Sequence, residues 1–174
     1  MARNIYGLDL GSYEIKVYDK KKDTIWKEKD VIAIADKKEI FAVGDDAYEM
    51  YEKAPSNIEV VFQMKEGVIS RFNNMQFLLQ NLLKKDRQFA RGSEYVIAVP
   101  TDVTEVEKKA FFDLVIHSTA RAREVNIVER SIADAVGLNL DVKNTGGLFI
   151  ANFGGETTEL SVLAGGGMVM NRLL

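Results

Sequence analysis

The sequence predicts an α/β fold, and three observations predict it. Short apolar runs parted by glycine-containing or polar turns open the chain, over 5–35, and close it, over 148–173. Between them, from 95 to 137, strand-like and helix-like patterns alternate. A strongly amphipathic stretch at 73–85 supplies a further helix to cover a sheet. Layers of helix on sheet follow from such an order of elements.

Ile5–Leu10 (IYGLDL) is apolar up to Asp9 and stops at Gly11. Residues 15–18 alternate, 20–23 (KKKD) make a polar turn, and 24–35 read as a third strand broken near the charged 27–30. This is a hairpin meander with Gly11-Ser12 at its first turn. Residues 40–43 form a short strand, Gly44 opens a helical segment over 45–53, and Pro55 closes it. Residues 58–62 and the run around Val68 are extended. Over 73–85, Met75, Leu78, Leu79, Leu82 and Leu83 recur at helical spacing. Residues 95–99 (YVIAV), stopped by Pro100, read as a fully buried strand. Thr104 and Glu107 fit a capping box for a helix over 105–120. Its apolar face is Val106, Ala110, Phe111, Leu114 and Val115. Residues 124–128 form another strand, and 131–137 a short helix with Gly137 as its glycine cap. Residues 148–153, 159–163 and 168–173 form a second hairpin meander.

Composition narrows the function. The chain has 174 residues, 47% hydrophobic and 28% charged, a soluble globular composition sufficient for one core or two small lobes. A net charge of −3 gives no basic field for nucleic acid. No apolar run reaches the length of a membrane span, and the N-terminus lacks the apolar core of a signal peptide. The absence of cysteine excludes disulfides and thiolate metal sites and fits a reducing cytoplasm. His117 is the single histidine, which argues against a histidine metal site or a Ser-His-Asp triad. It reads as a surface or helix-end residue.

Chemistry concentrates at two turns. In 150–159 (IANFGGETTE), glycines and threonines follow an apolar run, as in a phosphate-binding turn, with Glu156 in its middle. The second meander repeats the first: strand, glycine turn, strand. Two such turns facing each other would hold phosphates on backbone N–H groups, with glycine allowing close approach. DLGS at 9–12 resembles the first phosphate loop of the actin, sugar-kinase and heat-shock-chaperone superfamily, and GGETTE at 154–159 its second. AVGDDAYEM (42–50), VIAVPTDVTEVEKKA (96–110) and AREVNIVERSIADAVGLNLDV (122–142) are similar to the MreB family, bacterial actin homologues that form membrane-bound filaments and help set cell shape. The likeness runs along nearly the whole chain. It implies an actin-like (ribonuclease-H-like) first lobe over 1–145, with a mixed five-stranded sheet, flanking helices and an inserted subdomain at about 36–72. Residues 146–174 would begin a truncated second lobe, since family chains are roughly twice as long. It further implies ATP with magnesium between lobes, and a cytoplasmic filament at the inner face of the cell membrane.

The family's roles transfer unevenly. Asp9 matches the aspartate that orients magnesium through water; alternatively it is a strand-end aspartate bonding to the turn. Gly11, Ser12, Gly154, Gly155, Thr157 and Thr158 match the phosphate contacts, or simply make the turns. Tyr13 and Glu14 replace small residues, and Glu14 would face solvent. Asn152 stands where the family has a second carboxylate. Glu156 replaces a glycine and brings a charge toward a triphosphate. Two charges about 4 Å apart repel by roughly 1 kcal/mol in water and about 4 kcal/mol at a protein-surface dielectric. Arg130 stands where the family's second glutamate positions the hydrolytic water, and it cannot act as a general base. Glu129, one residue earlier, points elsewhere. The expectation is a degenerate site, with ATP binding weak or absent and no catalytic residue. Glu156 could instead point away, or bind a metal or a basic side chain, and a counter-reading pairs it with Arg130 across the empty cleft. Two alternatives stay open: a working nucleotide-switched filament ATPase, and an actin-like adaptor of the FtsA or pilus-assembly type.

Two surfaces suggest partners. The loop 84–92 (KKDRQFARG) is basic around Phe89, suited to peripheral contact with an anionic membrane; otherwise it is a solvated linker with Phe89 tucked onto the core. A three-stranded meander without covering helices exposes an apolar face, which calls for self-association or docking to a second actin-like chain. Trp26, Phe111 and Phe112 read as packing residues.

Overall fold

The structure, a computed structural model, describes residues 4–85, 92–119, 121–144 and 146–174. The strands in chain order are β1 (Ile5–Leu10), β2 (Glu14–Asp19), β3 (Thr24–Lys29), β4 (Val31–Ala35), β5 (Glu39–Val43), β6 (Ile58–Phe62), β7 (Met64–Lys65), β8 (Val68–Ile69), β9 (Glu94–Val99), β10 (Glu124–Glu129), β11 (Leu148–Phe153), β12 (Thr158–Ala164) and β13 (Gly167–Leu173). The helices are α1 (Asp45–Tyr48), α2 (Phe72–Lys85), α3 (Glu105–Ile116) and α4 (Arg130–Gly137). The loop residues 86–91, Phe89 among them, lie outside the described residues.

Alternation in β1 and β2 sends Tyr6, Leu8, Leu10, Ile15 and Val17 to one face of a sheet. β1, β2 and β3 form the expected antiparallel meander. β9 returns after helix α2 and pairs with β1 in parallel, and β10 returns after α3 and pairs with β9 in parallel. The result is a mixed five-stranded sheet in the order β10-β9-β1-β2-β3. Met75, Leu78, Leu79, Leu82 and Leu83 of α2 and Phe111, Leu114 and Val115 of α3 close its apolar face. Each such side chain, fully buried, contributes about 1.5–3 kcal/mol. Trp26 and Phe112 pack against this core, as read from sequence. The opposite face carries Asp9, Glu14 and Lys16, and it becomes the floor of the site.

The broken third strand divides between two sheets. β3 completes the large sheet, while β4 joins a small sheet in the order β5-β4-β6. The division falls at Asp30, which is fully buried. Its N–H donates to the Tyr13 carbonyl at 3.0 Å, and its Oδ2 accepts from the backbone N–H groups of Gln63 at 3.2 Å and Met64 at 2.8 Å. Burial pushes its carboxyl up to about 7, against the pull of those two bonds.

Three elements differ from the sequence reading. The helix expected over 45–53 stops at Tyr48 and gives way to turns: the Met50, Tyr51 and Lys53 N–H groups bond three residues back, to Ala47, Tyr48 and Met50, and Glu52 takes a left-handed φ of 60°. The helix expected over 105–120 ends at Ile116, with an exposed His117 as its C-cap. Its capping box forms as expected, but Val106 faces solvent in the first turn instead of joining the buried face. Helix α4 is not capped by Gly137, which remains helical. Asn139 takes the left-handed position at φ 56°, its N–H bonding to the Val136 carbonyl and that of Leu140 to the Ala135 carbonyl. This is a Schellman ending with asparagine in the glycine role.

The second meander forms a separate sheet, β11-β12-β13, whose inner face packs Ile150 and Leu163 on Ala135 of α4. Its outer face is apolar and uncovered. Phe149, Val162 and Met170 stand opposite one another across the three strands, and Phe149 and Met170 are 67% and 57% exposed. Phe153, at the β11 end, is 80% exposed. Among the described residues no helix is long and apolar enough to cross a membrane.

Candidate functional site

The two glycine turns are built alike, atom for atom in their closing bonds. After β1, the Gly11 N–H donates to the Glu14 carbonyl at 3.2 Å; after β11, the Gly154 N–H donates to the Thr157 carbonyl at 2.9 Å. A Cβ on Gly11 would lie 2.8 Å from the Glu14 oxygen, and one on Gly154 would lie 2.8 Å from the Thr157 oxygen. Both glycines are therefore required for one steric reason, close approach of backbone to backbone. Their own N–H groups are consumed by the turns. Among the described residues the amides without a protein acceptor include those of Ser12, Tyr13 and Glu14 in the first turn and of Gly155, Glu156 and Thr157 in the second. The turns touch: a Cβ on Gly155 would come within 2.5 Å of the Tyr13 Cβ.

Between them lies a cavity of about 190 Å³, lined by both turns and by Asp9, Lys16, Arg130 and Asn152. Asp9 and Lys16 are cross-strand partners in β1 and β2, so both project from the outer face of the sheet. Lys16 Nζ sits 2.9 Å from Asp9 Oδ2, and Arg130 Nη2, at the start of α4, sits 3.6 Å from Asp9 Oδ1. The Arg130 side chain is only 12% exposed, and its Nε–H has no partner. Asn152 donates to Asp134 Oδ2 at 2.7 Å. Burial pushes the Asp134 carboxyl up, opposed by the Asn152 bond and by Arg130.

Several expected site residues fall elsewhere. Glu156 does not meet Arg130 and does not line this cavity. Its Oε2 accepts the Glu66 backbone N–H at 2.8 Å, because left-handed Glu66 and Gly67 bring the β7–β8 turn up to it. The Arg130–Glu156 pair of the counter-reading does not form; Glu156 points away from this cavity, and Arg130 lies against Asp9. Glu14 is not solvent-facing: it is half-buried between Lys27 and Lys29, each 3.6 Å away. Thr157 lines the cavity, whereas Thr158 enters β12 and exchanges backbone bonds with Leu174. Tyr13 is bound to α1 and β3, with its hydroxyl 3.2 Å from that of Tyr48 and Lys29 Nζ 3.9 Å from its ring centroid. A further tie joins the two parts of the chain, the Thr101 N–H donating to buried Glu159 at 3.0 Å.

Sequence reading missed Lys16, Lys29, Tyr48 and Glu66. Lys16 carried a signal, since a two-residue turn at Ser12-Tyr13 sets it opposite Asp9. The others are tertiary contacts with no local pattern. The donor set does not suit a hydrated divalent cation, because both Asp9 oxygens face cations and Asn152 is neutral. Among the described residues no three acidic, histidine or cysteine side chains cluster to hold a metal.

Comparison with known proteins follows the same outline. The model of the MreB/Mbl protein family matches residues 3–174. The cell shape-determining protein MreB of Escherichia coli (strain K12) is 34% identical over 177 residues, covering 97% of this chain and 50% of that protein. The cell shape-determining protein Mbl of Bacillus subtilis (strain 168) is 30% identical over 172 residues, with 97% and 50% covered. Among solved structures, MreB5 of Spiroplasma citri bound to ADP superposes with a TM-score of 0.90 at 26% identity, over 99% of this chain and 52% of that one. The MamK double helical filament, at 21% identity, shares the fold with a TM-score of 0.78, over 99% of this chain and 54% of that one. The chain spans about half the length of the curated relatives it matches.

Proposed function

The chain belongs to the MreB/Mbl family, with its actin-like fold, and on that premise we propose that it is a self-assembling structural element of the cell-shape cytoskeleton that does not hydrolyse ATP. The carrying observation is Arg130 lodged against Asp9. A guanidinium cannot take a proton from water at neutral pH. The two carboxylates that line the cleft, Asp9 and Glu14, are each held by cations, so neither is placed to activate a nucleophile. Assembly is supported by the uncovered apolar face of β11–β13 and by the filament in which the structurally similar MamK was solved. Its place would be the cytoplasm at the inner face of the cell membrane, with the basic loop around Phe89 as the peripheral contact.

A second reading has its own support. Among the described residues the turns keep several backbone amides without acceptors, and MreB5 was solved with both ADP and AMPPNP. On that reading the chain is a nucleotide-switched filament ATPase. Sedimentation and electron microscopy with and without ATP and magnesium separate the two. The structural reading predicts the same polymers in both conditions. Polymers that appear only with ATP would favour the switch.

A further inference from the structure

We infer that the cleft binds a polyphosphate anion without a divalent cation, Lys16 and Arg130 standing where a metal would otherwise balance charge. The inference rests on membership of the MreB/Mbl family and on the two turns being phosphate loops in kind, whichever of the two readings above holds.

The charges around the cavity carry it. A phosphate site floored by free carboxylates repels its ligand and needs a metal between them. Here Asp9 is already neutralised at both oxygens, by Lys16 at 2.9 Å and Arg130 at 3.6 Å. Glu14 is neutralised by Lys27 and Lys29, and Asp134 is turned to Asn152. In the cavity lining the cations Lys16 and Arg130 thus match the carboxylates Asp9 and Glu14, and Lys27 and Lys29 stand behind Glu14. Arg130 lines the cavity with its side chain nearly buried, and its guanidinium, loosely held by Asp9 at 3.6 Å, is a forked donor suited to an oxyanion. The amides of Ser12, Tyr13, Gly155 and Glu156 add donors without adding charge. Asp9 thus acts as an internal anion on the two cations, and a polyphosphate would compete with it for the same groups. Glu156, the residue that looked most hostile to phosphate, is tied to the Glu66 N–H and lies outside the cavity lining.

Metal-mediated and metal-free binding predict opposite signs for one substitution. If a metal bridges Asp9 to phosphate, Asp9→Asn weakens binding. If Asp9 competes with phosphate, Asp9→Asn strengthens it. The experiment is calorimetric titration of the full chain with ATP and, separately, with inorganic tripolyphosphate, in EDTA and in excess magnesium. Expected are binding in EDTA, a several-fold loss of affinity on adding magnesium, and a several-fold gain for Asp9→Asn. Lys16→Gln, checked for folding by circular dichroism, should weaken binding at least about ten-fold. Tripolyphosphate binding as well as ATP would place recognition on the phosphates alone. ATP binding without tripolyphosphate would assign the same metal-free site to a nucleotide. No binding in EDTA, or a loss of affinity in Asp9→Asn, overturns the inference. Absence of any binding would leave the assembly reading standing, whereas magnesium-dependent binding with phosphate release would overturn both.

Discussion

The turn after β1 and the turn after β11 share a backbone and differ in every side chain that matters. Each closes on a glycine N–H bonded to the carbonyl three residues on, and each forbids a Cβ at that glycine. The first then presents Tyr13, which packs edge-on against Tyr48 of α1. The second presents Glu156, which binds the Glu66 N–H in the β7–β8 turn. Both departures from the family pattern thus reach the same neighbour, the segment between the first meander and α2. The backbone was held fixed by sterics while the side chains were turned to protein contacts, so the cleft is braced by its own chain rather than by a ligand.

The sharpest way to break that comparison is to test the glycines together. Gly11→Ala and Gly154→Ala should each destabilise the fold by about 3 kcal/mol, since the obstacle is a backbone carbonyl that cannot step aside. Thermal unfolding would show matched losses of melting temperature. A large loss for one and none for the other would mean that the turns are not equivalent.

Asp30 joins the two turns, because its N–H bonds to Tyr13 and the charge of Glu156 helps push its carboxyl up. With a folded value of about 7, above the ordinary 3.8, the folded protein keeps a proton that the unfolded chain has released. Stability contributed by this group therefore falls as pH rises from about 4 to about 7. Asp30→Asn should raise stability by on the order of 2 kcal/mol at pH 8 and change it little at pH 4, measured by urea unfolding at both values. Equal effects at the two pH values would contradict the buried-acid account.

The smaller effects distinguish the braces. Tyr13→Ser should cost about 1–2 kcal/mol through loss of the aromatic and cation contacts, and Glu156→Gly about 1 kcal/mol through loss of one charge-assisted bond. In hydrogen exchange, Glu156→Gly should speed the Glu66 amide while leaving Tyr48 unchanged, and Tyr13→Ser should do the reverse. Co-variation of both sites in either variant would merge the two braces into one.

What was legible in the sequence follows from the range of the interaction. Strand alternation in β1 and β2, the α2 stripe and the Thr104–Glu107 box are local, and each could be read directly. The Gly137 reading failed locally: asparagine also tolerates the left-handed position, and the helix closes two residues later on Asn139. Lys16 opposite Asp9 was one step of register away. Arg130 was singled out but matched with Glu156, the departure of opposite charge, whereas its neighbour in the fold is Asp9. The Glu156–Glu66 bond was out of reach, for it depends on a left-handed turn in a distant segment that no local pattern marks. The site's parts were therefore readable, and their pairing was not.

The central claim is a cleft that keeps its turns and lacks hydrolysis, and steady-state phosphate release from the full chain with ATP and magnesium tests it most directly. The account predicts release indistinguishable from a protein-free blank, whether or not the sample contains polymers. Sustained release above that blank, abolished by Asp9→Asn, would contradict it and establish the switched ATPase instead.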